Sequence, residues 1–329
     1  MITKKDIAEK LGVSRTTVSM VLNRKPDARI SEETAQRVLA MARKLGYKEQ
    51  GQTETQSLIC YILCNRRFDR QGYFESLRSL ELAAFESNFR IIFLTLDHSE
   101  DDYDKVESVL KSSGVKGVII AGDFDKEVIE YIQKLKMPFV VNGVTDIDGI
   151  NLVSPDHYLA GYEATEHLIG LGHRNIAFFT GELYKLTHKR ILAGYREALQ
   201  KYNIVYDPSL VQVSTREHGD DLVRRAKELD IHYTAILTAN VLMGIDTLTE
   251  LKAGGRAIPK ELSIISIGGG SLGFHSRPKL SVMAGDGERN ARAILDILVR
   301  NINNYDLEPQ IFISKNTLVE RESTGPCPI

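Results

Sequence analysis

The chain has 329 residues, 43% of them hydrophobic and 26% charged, with a formal net charge of −2. That length suits two or three domains, and the apolar content is enough for sizeable cores, which excludes a disordered or fibrous chain. The longest apolar runs, such as GVIIAG and RIIFLTL, are too short to span a bilayer, and the opening MITKKDIAEKLG lacks the apolar run of a signal peptide, so no membrane partner is expected.

The charge is unevenly placed. Residues 1–50 carry 11 Lys and Arg against 6 Asp and Glu, a balance of +5 that leaves −7 for the rest. A basic head on an acidic body points to a polyanion as the partner of the head. Three helices are predicted there. Residues 4–11 place Ile7, Ala8 and Leu11 on one face. Gly12-Val13-Ser14 is a tight turn, with Ser14 as N-cap of a helix over about 15–22. After the polar loop NRKPDARI, Ser31 caps a third helix that runs to about Leu45 and stops at Gly46. Glu32 and Glu33 favour the positive end of its dipole.

In GVSRTTVSMVLN the apolar Val13, Val18, Val21 and Leu22 suit one buried face, and two short helices joined by such a turn fit a helix-turn-helix. Arg15, Thr16 and Met20 then point outward from the second helix, whose first turn enters the DNA major groove. Arg can pair bidentately with guanine, while Thr and Met can touch base edges. Thr3, Ser14, Thr17, Ser19, Asn23 and Arg29 suit phosphate oxygens, which position a reader without reading sequence. The competing reading is a solvated polar face on a helix that only packs.

Residues 48–57, KEQGQTETQS, hold no large apolar residue and read as a linker. From Leu58 the pattern changes. Ten short strand candidates follow: LICYIL, RIIFLTL, GVIIAG, PFVVNG, INLVS, NIAFFTG, LVQVS, TAILTA, LSIISIG and LSVMAG. Helix-length segments such as 73–87, 102–112, 158–171, 187–202 and 218–229 lie between them. That alternation means βαβ units and parallel sheets, and ten strands are more than one modest sheet needs, so an α/β body of two lobes is expected. Cys60, Cys64 and Cys327 form no CxxC and are odd in number, which fits reduced thiols, with Cys60 and Cys64 buried in a strand.

The segments ITKKDIAEKLGVSRTTVSMVLN and ISEETAQRVLAMARKLGYK resemble the DNA-binding head of the lactose-repressor/galactose-repressor (LacI/GalR) family. EATEHLIGLGHRNIAFFTG, RILAGYREAL, TAILTANVLMG, IPKELSIIS and LVERESTGP match the regulatory domain of that family in order. The resemblance implies a helix-turn-helix head over 1–48, a linker over 49–57 and a two-lobed periplasmic-binding-protein-like (type I) body over 58–329. Its N-lobe would be about 58–154 plus 284–308 and its C-lobe about 155–283 plus 309–329. It also implies a cytoplasmic, nucleoid-associated bacterial repressor that acts as a homodimer on a pseudo-palindromic operator in double-stranded DNA, with a small effector, a sugar or related metabolite, in the interlobe cleft. The family's extra C-terminal tetramerisation helix is not expected after LVERESTGP. Two tethered heads would gain effective concentration and a fixed half-site spacing.

The sequence departs from the family at two places. After Tyr47 the family usually continues with Pro-Asn and a helix carrying a leucine that wedges into the minor groove; KEQGQTETQS has neither Pro nor Leu, and a wedge needs an apolar side chain. In the cleft, Gly268 and Gly269 stand where the family usually has acids, Ile191 stands at the family arginine with Arg190 beside it, Ser214 lies near a missing aromatic, and Asn240 survives without its acid. Tyr73, Phe74, Lys189, Arg190, Asn240 and Gly268 are the expected effector residues. The basic Lys189, Arg190, Arg216 and His218 make a sugar phosphate an alternative to a neutral sugar. No P-loop, no GxGxxG after a strand and no catalytic set occur, so no enzyme, cofactor or metal is expected. Open alternatives are a small-molecule-binding protein whose DNA binding is weak or needs a corepressor, and a degenerate cleft that takes no ligand.

Overall fold

In the computed structural model, which describes residues 2–22, 30–45, 57–65, 71–97, 100–112, 114–304 and 307–328, the chain divides into two units, residues 1–55 and 56–329. The first holds three helices, α1 (Lys4–Leu11), α2 (Arg15–Leu22) and α3 (Glu32–Lys44). Each starts where a hydroxyl meets its open N–H groups. Thr3 accepts from Asp6 N at α1, Ser14 from Thr17 N at 2.9 Å and Ser31 from Thr34 N at 3.3 Å. Gly12 ends α1 at φ 67°, a left-handed turn that glycine adopts at no steric cost. Ile7, Ala8, Val18, Val38 and Ala42 form a buried core, with Val13, Val21 and Leu22 packed against it. The predicted apolar face of α2 is therefore the packed one. The stop at Gly46, linker residues 49–56, Asn23 and Arg29 lie outside the described residues.

The second unit runs β1 (Ser57–Cys64), α4 (Gln71–Glu86), β2 (Phe89–Leu96), α5 (Glu100–Leu110), β3 (Val115–Gly122), α6 (Lys126–Lys134), β4 (Phe139–Asn142) and β5 (Leu152–Pro155). It continues with α7 (His157–Gly170), β6 (Ile176–Thr180), α8 (Leu186–Lys201), β7 (Val211–Val213), α9 (Gly219–Glu228), β8 (Ala235–Thr238) and α10 (Val241–Ala253). β9 (Ser263–Ile267), α11 (Gly270–His275), β10 (Ser281–Ala284), α12 (Gly287–Asn303), β11 (Ile311–Ser314) and β12 (Thr317–Val319) complete it. The fold class is the expected one: an all-α head followed by two α/β lobes with parallel sheets. The sheet orders are β11-β5-β4-β3-β1-β2 and β12-β10-β9-β8-β6-β7, parallel except where β12 runs antiparallel to β10.

All ten strand candidates form strands. β11 and β12 are additional; β12 joins the second sheet, and β11 moves the last lobe boundary. β11 pairs with β5 in the first sheet, Ile311 opposite Leu152, so the expected C-lobe segment 309–329 in fact begins in the first lobe. The chain crosses between the sheets near Asp156, near Gly285 and at Lys315–Asn316.

Side chains alternate across each strand, so both faces of each sheet are buried. On β1, Cys60, Ile62 and Cys64 face one core while Ile59, Tyr61 and Leu63 face the other, where α12 packs through Ile294, Leu295 and Leu298. Cys60 and Cys64 are buried free thiols, and burial pushes both up to about 12, far from thiolate chemistry. In the second lobe α7 and α8 lie in close contact because Gly161 and Gly194 carry no side chain. A Cβ on Gly194 would overlap the Tyr158 carbonyl, and one on Gly161 the Ile191 carbonyl. Among the described residues no helix is long and apolar enough to cross a membrane.

Gly194→Ala is expected to force α7 and α8 apart and to destabilise the body by about 1–3 kcal/mol. The measurement is the denaturant midpoint at unchanged slope; an unmoved midpoint would show that the two helices part without strain.

Candidate functional site

The outward face of α2 carries Arg15, Thr16 and Met20, all exposed, Met20 at 37%. Val18 behind them is fully buried, which fixes the helix rotation and hence the direction of these three side chains. The residues expected at phosphates are partly occupied. The Thr3 hydroxyl donates to Asp6 Oδ2 at 2.8 Å, the Ser14 and Thr17 hydroxyls share a hydrogen bond at 2.8 Å, and Ser19 Oγ accepts from Lys4 Nζ at 3.5 Å. Thr3 and Ser14 are caps first, although both stay exposed and their second lone pairs can still meet a donor.

In the body, the C-terminal ends of the parallel strands meet between the lobes, the usual ligand crevice of α/β sheets. A cavity of about 460 Å³ lies there, within the size range of small-ligand sites. Phe124, Asp125 and Lys126 after β3 line it, with Val144–Asp148 after β4 and Leu186 at the start of α8. Three of these are carboxylates: Asp125, Asp146 and Asp148. Beside the cavity Lys185 Nζ lies 3.2 Å from Asp123 Oδ2 and 2.8 Å from Glu217 Oε1. Glu217 is 7% exposed and holds φ 57°, a left-handed conformation that few non-glycine residues adopt. His188 Nδ1 lies 3.0 Å from the Glu182 carbonyl, which can only accept, so Nδ1 carries the ring proton.

The expected effector residues divide. Arg190 reaches across the cleft, Nη2 donating to the Thr145 carbonyl at 3.4 Å. Asn240 caps α10, its Oδ1 accepting from Met243 N at 2.9 Å. Gly268, φ 91°, donates its N–H to the Met283 carbonyl. Lys189 is exposed and has no described contact across the cleft. Tyr73 and Phe74 lie in α4, and their side chains fall outside the described residues. Ile191, at the place of the family arginine, is fully buried in the second-lobe core. Arg216 pairs with Asp221 at 2.7 Å, and His218 faces Asp246 and Asp220 at 3.7 and 4.0 Å. The four basic residues therefore do not gather into one basic pocket.

The sequence reading missed Lys185, Glu217, Asp123, Thr145, Asp146 and Asp148. Their common signal is position in the loops at the crevice ends of the sheets. Asp123 directly follows β3, Lys185 directly precedes α8, Thr145, Asp146 and Asp148 lie in the loop between β4 and β5, and Glu217 lies in the loop between β7 and α9. His218, Asp220 and Asp246 offer ligand atoms within 4.8 Å of one another. Arg224 already holds Asp220 at 2.6 Å, and the group lies at the positive end of α9, so a cation would compete with a guanidinium and a helix dipole.

Burial pushes His157, at the start of α7, down to about 4, with the Arg190 and His188 charges adding to it. Its Nδ1 has no hydrogen-bond partner among the described residues.

The head, residues 3–50, matches the family profile for bacterial regulatory proteins of the lacI family, and residues 165–324 match a periplasmic binding protein-like domain. The transcriptional regulator CelR of Thermobifida fusca is 26% identical over 96% of this chain and 96% of its own. Catabolite control protein A of Priestia megaterium is 26% identical, covering 98% and 99%. Among solved structures, a CelR–cellobiose complex superposes with a TM-score of 0.73 at 24% identity over 98% of this chain and all of the other. The lac repressor dimer bound to operator and the anti-inducer ONPF gives 0.73 at 21% identity over 98% and 99%.

A histidine whose folded pKa lies below the ordinary 6.5 resists protonation when folded, so its contribution to stability is complete above about 6.5 and is lost as pH falls towards about 4. His157→Gln is expected to flatten the fall in melting temperature through that window. Burial also lowers His167 and His173, which leaves a residual slope. A variant that melts with the parental pH profile would show that His157 does not titrate there.

Proposed function

Because the chain belongs to the LacI family of bacterial regulatory proteins, we propose that this DNA-binding transcriptional regulator is a homodimeric repressor of a carbohydrate-metabolism operon. It acts in the cytoplasm, on a pseudo-palindromic operator, under the control of a sugar in its interlobe cleft. The observation that carries the reading is α2: an exposed face of Arg15, Thr16 and Met20 on a capped helix whose other face is locked into a core. A helix held this way presents base-reading side chains from a backbone that is already ordered, so that binding has only the side chains left to order.

The cleft chemistry favours a neutral sugar over a sugar phosphate. Of Lys189, Arg190, Arg216 and His218, Arg190 is the one whose described contact crosses the cleft. The cavity lining supplies Asp125, Asp146 and Asp148, whose carboxylates can accept hydrogen bonds from sugar hydroxyls. Carbohydrate control also agrees with the cellobiose held by the CelR structure. The effector acts by its differential affinity for two lobe orientations, typically about 1–3 kcal/mol of coupling. Repression follows from a bound dimer that blocks polymerase.

Deleting residues 1–50 is expected to abolish DNA affinity, and Arg15→Ala to cost about 1–3 kcal/mol on the best operator while relaxing the choice at one base pair. The measurement is binding to the selected site and to random DNA at fixed salt. An equal loss on both would mean that Arg15 touches only phosphate, and full affinity without residues 1–50 would overturn the reading.

A further inference from the structure

Three chain crossings join the two lobes of the body, and a further link spans the cleft through side chains. Lys185, 17% exposed at the N-cap of α8 in the second lobe, reaches Asp123 of the first lobe at 3.2 Å and Glu217 of its own lobe at 2.8 Å. Next to it Leu186 lines the interlobe cavity. Just over one turn along α8, Arg190 donates to the Thr145 carbonyl of the first lobe. One end of one helix therefore meets the loops that follow both β3 and β4.

We propose that Lys185 is an interlobe strap: its ammonium, oriented by the Glu217 carboxylate, grips the Asp123 carboxylate and biases the two lobes toward the closed orientation. The two carboxylates differ in what opening does to them. Glu217 is 7% exposed, and a carboxylate so buried holds its cation strongly because separation would leave it poorly solvated. Asp123 is 38% exposed and regains water when the lobes part. The Lys185–Glu217 pair thus stays assembled within the second lobe in either orientation, and the Asp123 contact is the half that forms and breaks. The strap sets the fraction of closed molecules before any ligand binds, and through that fraction the apparent effector affinity. This last consequence rests on the reading of the cleft as an effector site; the strap itself does not.

The test is a pulsed dipolar distance between spin labels on Glu127→Cys in α6 and Ala193→Cys in α8, both exposed positions in opposite lobes. Cys327→Ser removes the one partly exposed native thiol, and the buried Cys60 and Cys64 stay unlabelled. Full-length protein is compared with Lys185→Met, Asp123→Asn, both together, and Lys185→Arg. The strap predicts longer, broader distances in each single variant, no further change in the double variant, and a return toward the parental distribution with Lys185→Arg. A parental distribution in Asp123→Asn overturns the proposal, because Lys185 would then act only inside its own lobe; that outcome is decisive even where Lys185→Met fails to fold. The measurement uses neither ligand nor DNA, so loss of the strap leaves the regulator reading standing, and failure to bind DNA leaves the strap standing.

Discussion

Three crossings of the chain between two sheets constrain everything else in the body. The lobes cannot separate and can only rotate about these points. The crossings are laced to one another: Asp156 N donates to the Ser314 carbonyl at 2.8 Å, and Asn316 Nδ2 to the Met283 carbonyl at 3.3 Å. Immediately beyond two of them a helix begins with an aspartate cap, Asp156 on Leu159 N and Asp286 on Arg289 N, each at 2.9 Å. The freedom is thereby confined to a few residues, and the elements on either side move as rigid pieces.

That arrangement explains where the chemistry sits. Parallel strands in both sheets point their C-terminal ends at the gap beside the crossings, and the loops that follow them need not pack against a core. They can carry Asp125, Asp146 and Asp148 on one wall and Lys185 and Arg190 on the other. A ligand in this gap touches both lobes, so its affinity depends on their orientation, which is the physical requirement for coupling a small molecule to a change elsewhere. The head meets a different requirement. Its α2 must be rigid before it meets DNA, and caps at both ends of the turn, with Val18 buried beneath, supply that rigidity.

The pattern of residues disclosed the fold more fully than the site. Ten strands were legible because each is a β-rich apolar run bounded by turn residues, and the head was legible through its caps at Ser14 and Ser31. β11 escaped because Ile311 and Ile313 lie exposed on an edge strand of four residues, which leaves no long apolar run to see. Its omission shifted the last lobe boundary. The cleft was legible only in part, since Asn240 stands at a family motif and Arg190 one residue beside another, whereas Lys185, Glu217 and Asp123 come from separate loops with no shared spacing. Only the fold brings them together. Ile191 shows the converse: the place where the family resemblance implied an arginine belongs to the core, its backbone against Gly161.

Reciprocal linkage between the cleft and DNA tests the proposed coupling most directly. Full-length protein would be titrated with a panel of neutral sugars and their phosphates, and the tightest binder measured with and without the selected operator, the operator in turn with and without that sugar. A neutral sugar is expected, with a change in sugar affinity on DNA equal to the change in DNA affinity with sugar, of about 5- to 150-fold. A sugar that binds equally well to free and DNA-bound protein would contradict the coupling, because the cleft and the head would then be two sites on one chain with no energetic connection.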